Sequence, residues 1–147
     1  MTIMEKALLR EDRECDSIDA CTALSKYYGS EQPLRALAYA YKANRMGAKL
    51  NTLPLEAACM TVSERSDLVG AYLLGREYSC FPRTKQNIDT TLRYLRHAAD
   101  TAGSLQGAAA LCLADYLSRC GAVNREYREM AFRYYRVAKE QGNGDLI

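Results

Sequence analysis

The sequence lacks tryptophan and is poor in phenylalanine and proline. Its 147 residues include only two phenylalanines and three prolines. Because proline is rare while alanine and leucine are common, we expect helices rather than sheets. The eleven tyrosines must then provide most of the large side chains of the core. The length suits one compact domain that buries a core without disulfide or metal support.

Long hydrophobic runs are also absent. No apolar run approaches the length of a membrane span, and charges at Glu5, Lys6, Arg10 and Glu11 interrupt what would be a signal-peptide core. We therefore expect a soluble, cytoplasmic protein with no membrane partner. In that reducing compartment the six cysteines are expected to form no disulfides.

Residues that carry common catalytic chemistry are sparse. The chain has one histidine, His97, which falls at an outward position of a predicted helix. The cysteines show no zinc-like spacing, and Gly70 and Gly75 lie within a helical pattern where close packing explains them. Paired carboxylates occur only in the acidic N-terminal stretch. Few apolar residues surround them there, so no apolar environment is expected to raise the pKa of one carboxyl group. The sequence predicts no enzyme activity, no cofactor and no metal site.

An internal repeat is the most informative feature that is present. In three segments a small residue is followed by an aromatic residue three places on and a small residue seven places on. This spacing puts all three on one helical face. A glycine follows each segment, as expected where the chain must adopt a positive φ. The segments and their glycines are Ala36–Ala43 with Gly47, Thr91–Ala98 with Gly103, and Ala131–Ala138 with Gly142.

A second pattern precedes each of these segments. It has a leucine, a small residue next, and a bulky residue four places after the leucine, in Leu24–Tyr28, Leu74–Tyr78 and Leu113–Leu117. Glycine, proline or asparagine separates the two patterns each time. The repeating unit is therefore a helix, a turn and a second helix, about 40 residues long where two units follow directly.

At these residues the chain resembles Sel1-like repeats, which are relatives of tetratricopeptide repeats. Ala131–Asn143 looks like the closing half of that repeat, and Leu74–Tyr78 looks like its opening half. The resemblance covers residues 19–47 and 68–142. It implies an all-α fold, an α-solenoid of helix-turn-helix repeats wound into a right-handed superhelix.

The domain organisation follows from the repeat. We predict one α-helical repeat domain over residues 1–147. An extra helix or degenerate repeat, with Pro54 in its first turn, interrupts the series. The segments are an N-terminal capping segment at 1–18, repeat 1 at 19–47, the extra segment at 48–67, repeat 2 at 68–103, repeat 3 at 104–142 and a tail at 143–147.

The resemblance implies a binding groove on the concave side, lined by the first helix of each unit. Tyr72 and Arg76 are the expected energetic anchors, since such residues dominate protein interfaces. The full set is Asp19, Thr22, Lys26, Tyr72, Arg76, Ser79, Asp115, Ser118 and Arg119. The expected partner is a protein or peptide, and the expected role is an adaptor or dedicated chaperone. Small size and fold suggest, by analogy, a bacterial secretion or virulence-related chaperone.

Two other functions compete with this interpretation. A basic stripe of Arg83, Lys85, Arg93, Arg96, Arg125, Arg128, Arg133 and Arg136 would suit nucleic acid. Glu126 and Glu129 interrupt that stripe, and the tyrosines fall at core positions. Some secreted Sel1-like proteins were proposed as penicillin-binding hydrolases and carry disulfides between neighbouring helices, a cysteine pattern that this sequence does not reproduce.

Self-association is a further expectation. The segment after the third repeat resembles the opening of a further repeat that is not completed, so we expect Tyr134 and Tyr135 to lack a complete lid. Terminal repeats normally need a polar outer face. The basic outer face of the last helix provides such a cap; alternatively a partner or a second copy of the chain covers it, giving a homo-oligomer through the C-terminal repeat.

Overall fold

The computed structural model describes residues 15–120 and 124–141. Within these ranges the chain forms seven helices and no strand, which confirms the expected all-α class. The predicted capping segment falls mostly outside the described residues, as do Gly142 and the predicted tail at 143–147. The helices are α1 Ile18–Tyr28, α2 Pro33–Arg45, α3 Leu53–Cys59, α4 Leu68–Tyr78, α5 Lys85–Asp100, α6 Gln106–Cys120 and α7 Arg125–Glu140.

Local sequence explains where these helices begin. Ser17, Asp67, Thr84 and Asn124 each accept a backbone N–H of the first turn through the side chain. In α2 and α3 a proline occupies the first turn instead, where its missing N–H removes no helical hydrogen bond. The extra helix predicted after Gly47 is α3, whose first turn contains Pro54 as expected.

Two of the predicted glycine positions have the expected backbone conformation. Gly47 follows the end of α2 with φ of 115°, and Gly103 follows the end of α5 with φ of 149°. Residues with a Cβ rarely adopt these angles. Because glycine has no Cβ, the chain turns towards the next helix at both places with little steric cost.

The order of packing follows the order of the chain. Helix α1 packs on α2, α2 on α4, α4 on α5, α5 on α6 and α6 on α7, while the short α3 packs on α2. Each long helix between α1 and α7 therefore has its main contacts with the long helices before and after it.

The predicted inner face of the repeated helices is confirmed. The small, aromatic and small residues of each segment are buried in α2, α5 and α7 alike. They are Ala36, Tyr39 and Ala43, then Thr91, Tyr94 and Ala98, then Ala131, Tyr134 and Ala138. These alanines allow close approach of neighbouring helices, and each tyrosine fills the space beside them.

A tyrosine stack recurs between the paired helices. Tyr28 of α1 lies over Tyr39 of α2, with ring centroids 6.0 Å apart and an angle of 9° between the rings. Tyr78 of α4 lies over Tyr94 of α5 at 6.0 Å and 4°. The four tyrosines occupy matching positions in the two sequence patterns, so the repeat extends to side-chain geometry in these two units.

The two glycines of α4 lie at helix contacts, as predicted. A Cβ on Gly75 would approach Leu95 Cγ of α5 to 2.7 Å, and a Cβ on Gly70 would approach Leu34 Cβ of α2 to 2.9 Å. Both distances are too short for real carbon contacts, so glycine allows α4 to sit tightly between α2 and α5.

The expectation of no disulfides was wrong at one pair. Cys15 and Cys21 are disulfide-bonded, and both are buried. The expectation rested on a reducing compartment and took no account of how close these two cysteines lie. Cys15 precedes α1, and its Cα comes within 5.7 Å of that of Cys21, a normal separation for a disulfide. Four cysteines are free, at Cys59, Cys80, Cys112 and Cys120.

Candidate partner-binding surface

The first helices present most of the nine predicted groove residues to solvent. Asp19 and Lys26 of α1 and all three predicted residues of α6 are exposed. Thr22 of α1 and two of the α4 residues are half-buried. The half-buried α4 residues are Arg76 and Ser79, and the exposed α6 residues are Asp115, Ser118 and Arg119.

Tyr72 differs from the other eight, because only 7% of it is exposed. The Arg76 guanidinium covers its ring, with Cζ 5.3 Å from the ring centroid. A partner that approaches this part of α4 would therefore meet Arg76 first. The arrangement resembles that on α6, where the Arg119 guanidinium lies 5.9 Å from the ring centroid of the buried Tyr116.

The charged residues of α4 and α6 act on a common thiol. Burial raises the pKa of Cys112 on α6 to about 11, while the positive charges of Arg76 and Arg119 act to lower it. Both guanidinium groups are thus close enough to the same sulfur to influence its ionisation. This coupling brings the α4 and α6 parts of the predicted set into one neighbourhood.

The α1 part of the set borders the inserted segment. Thr22 and Lys26 line a pocket of about 260 Å³, whose other walls include Leu50, Asn51 and Leu55 from the segment around α3. Asn44 of α2 holds this segment, because its side chain exchanges two hydrogen bonds with the backbone of Leu50 at 2.8 and 3.1 Å. The insertion therefore covers part of the surface beside α1.

A second recess lies between α2 and α4, and the sequence patterns did not indicate it. This α2–α4 cleft has a volume of about 420 Å³ and is lined by Tyr41, Asn44, Arg45, Glu77, Cys80, Phe81 and Pro82. The rings of Tyr41, Tyr78 and Phe81 meet edge to face, with centroids 5.0 to 5.4 Å apart. Phe81 and Pro82 follow the end of α4, in the stretch that separates the two helix patterns of the second unit.

A charged pair forms the polar wall of the cleft. The Arg45 guanidinium donates to both carboxylate oxygens of Glu77 at 2.9 and 3.0 Å. The Glu77 side chain is 6% exposed and that of Arg45 is 50% exposed. Burial raises the pKa of Glu77, and the guanidinium of Arg45 opposes this shift. Sequence reasoning missed Glu77 because a single glutamate within a helix carries no pattern.

Of the eight basic residues of the competing nucleic-acid interpretation, Arg83, Lys85, Arg93 and Arg96 are exposed on or just before α5, and the other four are exposed on α7. The exposed cations of α7 are Arg125, Arg128, Arg133, Arg136 and Lys139. Exposed carboxylates interrupt them, and Arg125 pairs with Glu129 at 3.3 Å. Phe132 is 69% exposed on the same helix.

Among residues 15–120 and 124–141, no group of three or more histidine, cysteine, aspartate or glutamate side chains could hold a metal ion. None of the seven helices is both long and apolar enough to cross a bilayer. His97, expected to be exposed, is half-buried on α5.

Comparison of the chain with protein-family models, with curated proteins and with solved structures finds no match. The Sel1-like resemblance therefore stays a prediction based on the three repeated segments.

Proposed function

We propose that this chain is a protein–protein interaction module without enzymatic activity, an adaptor or dedicated chaperone that holds a polypeptide on the face formed by its first helices. We further propose that the helix pairs form a right-handed solenoid of the Sel1-like or tetratricopeptide-like kind. The observation that carries the proposal is the recurring tyrosine stack of the first two units, combined with main helix contacts that run in chain order. Repeats of this kind build extended binding surfaces.

The charge and exposure of the first helices support a polypeptide partner. The face on α4 and α6 combines half-buried or exposed arginines with neighbouring exposed polar groups on α6. Arginines stacked on tyrosines are already partly ordered, so they lose less conformational freedom when a partner binds. A mixed surface of this kind suits peptide carboxylates and backbone carbonyls.

An affinity experiment tests the proposal. The tagged chain, immobilised and exposed to lysate of its own organism, should retain a polypeptide in a fixed molar ratio after washing at moderate salt. A parallel titration with DNA and RNA at two salt concentrations tests the competing function. Salt-sensitive nucleic-acid binding without any stoichiometric polypeptide would overturn the proposal, since phosphate contacts are the salt-dependent kind.

Cellular location and bacterial secretion are parts of the same proposal, and they rest on analogy of size and fold alone. The identity of the retained polypeptide tests both. A client that is a subunit of a secretion apparatus would support the chaperone role, whereas a client from an unrelated process would leave only the adaptor role.

A further inference from the structure

Helix α1 is open at a position that the later units bury. Tyr27 is the fourth residue of the pattern Leu24–Tyr28, and the matching residues are Glu77 of α4 and Tyr116 of α6. Glu77 is 5% exposed and Tyr116 is 0% exposed, whereas Tyr27 is 79% exposed. The helices α4 and α6 each pack on a helix of the preceding unit, α2 or α5. None of the helices in the described part of the chain precedes α1.

Helix α7 is open in the same way at the other end of the series. Phe132 is the second residue of its repeated segment, and the matching residues are Leu37 of α2 and Leu92 of α5. Leu37 is buried and Leu92 is half-buried, whereas Phe132 is 69% exposed. A first helix of the next unit packs on α2 and on α5, but no described helix follows α7. The first and last units thus each expose one aromatic ring where a neighbouring unit is missing.

The open face of α1 is small in its middle and acidic at its ends. Ala20 and Ala23 precede Tyr27 by seven and four residues, so all three share one side of the helix. Asp16 lies before α1 and Glu31 lies after it. The exposed charged residues of this end are three carboxylates and one cation, which are Asp16, Asp19, Glu31 and Lys26.

The open face of α7 carries the opposite charge. Arg136 and Lys139 follow Phe132 by four and seven residues, so they lie on the same side of the helix as its ring. Arg125 is already paired with Glu129 and adds little. The exposed charged residues of α7 are five cations and three carboxylates, which are Arg125, Arg128, Arg133, Arg136, Lys139, Glu126, Glu129 and Glu140. Faces of opposite charge favour contact with each other over contact with themselves.

The contact between α5 and α6 shows how such faces meet within the chain. The start of α6 lies beside the end of α5, where the Gln106 side chain donates to the Ala99 carbonyl at 3.1 Å. In the repeat, Gln106 matches Ser17 at the start of α1, and Ala99 matches Lys139 near the end of α7. A helix α1 placed on α7 in this manner therefore brings Asp16, which adjoins Ser17, towards Lys139.

We infer that the chain associates head to tail, with α1 of one copy packed on α7 of the next copy as α6 packs on α5. Tyr27 and Phe132 form the aromatic part of the contact, and Asp16 meets Lys139. Because the two faces differ, the contact can be repeated from copy to copy and builds an open series or a ring. A contact of one helix on one helix is small, so the association is weak and needs high protein concentrations.

The charges of α7 argue against a symmetric contact of α7 with itself. In an antiparallel pair centred on Phe132, Arg128 of one copy would face Arg136 of the other, because both lie four residues from Phe132. In a parallel pair each arginine would face its own copy. Like charges oppose both arrangements.

Two variants with one damaged face each test the inference. Tyr27→Ser alters the α1 face and Phe132→Ser alters the α7 face. In sedimentation equilibrium each variant alone should associate at least about fivefold more weakly than the parent. An equimolar mixture should regain the association but stop at two copies, since the intact α1 of one variant can bind the intact α7 of the other. Leu53→Ser removes a side chain of α3 that is 70% exposed, and this control should associate as the parent does.

An exchange of charge tests the direction of the contact. Asp16→Lys and Lys139→Asp should each weaken the association about threefold, as expected for an exposed ion pair. Both changes in one chain should restore it, because every contact then pairs the exchanged residues. Circular dichroism checks that each variant keeps the helices of the parent.

Three results would overturn the inference. A parent chain that is monomeric at every concentration would mean that the two faces do not bind each other. Normal association of Tyr27→Ser together with loss in Phe132→Ser would assign the contact to α7 alone. Weak association of both variants with no recovery in their mixture would show that the two rings do not belong to one contact.

Discussion

Gly75 lies at a close contact between α4 and α5. An added Cβ would meet the Leu95 side chain at 2.7 and 2.8 Å and the Leu95 backbone nitrogen at 3.2 Å. A side chain can rotate away, but the backbone of a packed helix moves only with the helix. The small size of this residue therefore sets the distance between the two helices.

The first prediction concerns this contact. Gly75→Ala should lower the free energy of unfolding by about 1–2 kcal/mol, because overpacking outweighs the gain of about 1 kcal/mol in helix propensity. Urea denaturation measures the change. Gln86→Ala is the matched control and should change stability little. A Gly75→Ala variant as stable as the parent would show that α4 and α5 are farther apart than described.

Glu77 gives the second prediction, which depends on pH. Burial raises its pKa in the folded state, so the folded chain keeps this proton to a higher pH than the unfolded chain does. The resulting stability is fully present below the ordinary pKa of glutamate and is lost as pH rises through the raised value. Glu77→Gln cannot lose a proton, so this pH dependence should be absent from it.

The measurement compares urea unfolding of the parent and of Glu77→Gln at about pH 4 and at pH 7. The parent should lose stability relative to the variant between the two pH values. A stability difference that is equal at both would mean that Glu77 titrates as it does in the unfolded chain.

At the scale of helices, the tyrosine stack tests whether the units are true repeats. Stacked aromatic pairs contribute about 0.5–1.5 kcal/mol beyond the area that they bury. We expect leucine substitutions at Tyr28 and Tyr39, and separately at Tyr78 and Tyr94, to give coupling energies of similar size in double-mutant cycles. In the third unit Leu117 takes the place of the first tyrosine, so a cycle of Leu117→Ala with Tyr134→Leu is the control and should show weaker coupling of this kind.

Helix identity and the buried face were predictable from sequence, because a period of 3.6 residues with alanines at fixed places leaves few alternatives. Tyr39, Tyr94 and Tyr134 were assigned to the core on this ground, and each is buried. The Pro54 helix and the positive φ of Gly47 and Gly103 were predictable for equally local reasons.

The surface was less predictable, since it depends on which helices meet. Tyr72 was expected to stand in the groove, yet its ring is buried under Arg76. The α2–α4 cleft arises because Glu77 and Arg45, 32 residues apart, come together only in the folded chain. The Cys15–Cys21 disulfide depends on a segment that precedes α1, which helical periodicity cannot describe.

For the whole molecule, the exposed Phe132 of α7 is the residue most relevant to self-association of the chain. Phe132 takes the same position in the repeat as Leu37 of α2. Leu37 is 1% exposed, in a helix that packs against the next unit through α4, whereas Phe132 is 69% exposed. An apolar ring in this position is suited to contact a further helix.

We therefore expect self-association through α7 that weakens in Phe132→Ser. Sedimentation equilibrium over a range of concentrations measures it. Leu53→Ser, which removes another exposed apolar side chain from α3, is the control and should associate as the parent does. A chain that stays monomeric at every concentration, or a Phe132→Ser variant that associates normally, would contradict this expectation.

The central proposal is that a polypeptide binds to the face of α4 and α6. Once the polypeptide client is purified, isothermal titration can compare its affinity for the parent and for two double variants. Arg76→Glu with Arg119→Glu reverses charge on the proposed face, and Arg133→Glu with Arg136→Glu makes the same change on the outer face of α7. We predict that the first variant binds at least about tenfold more weakly and that the second binds as the parent does. Unchanged binding by a folded first variant, together with loss of binding by the second, would contradict the account.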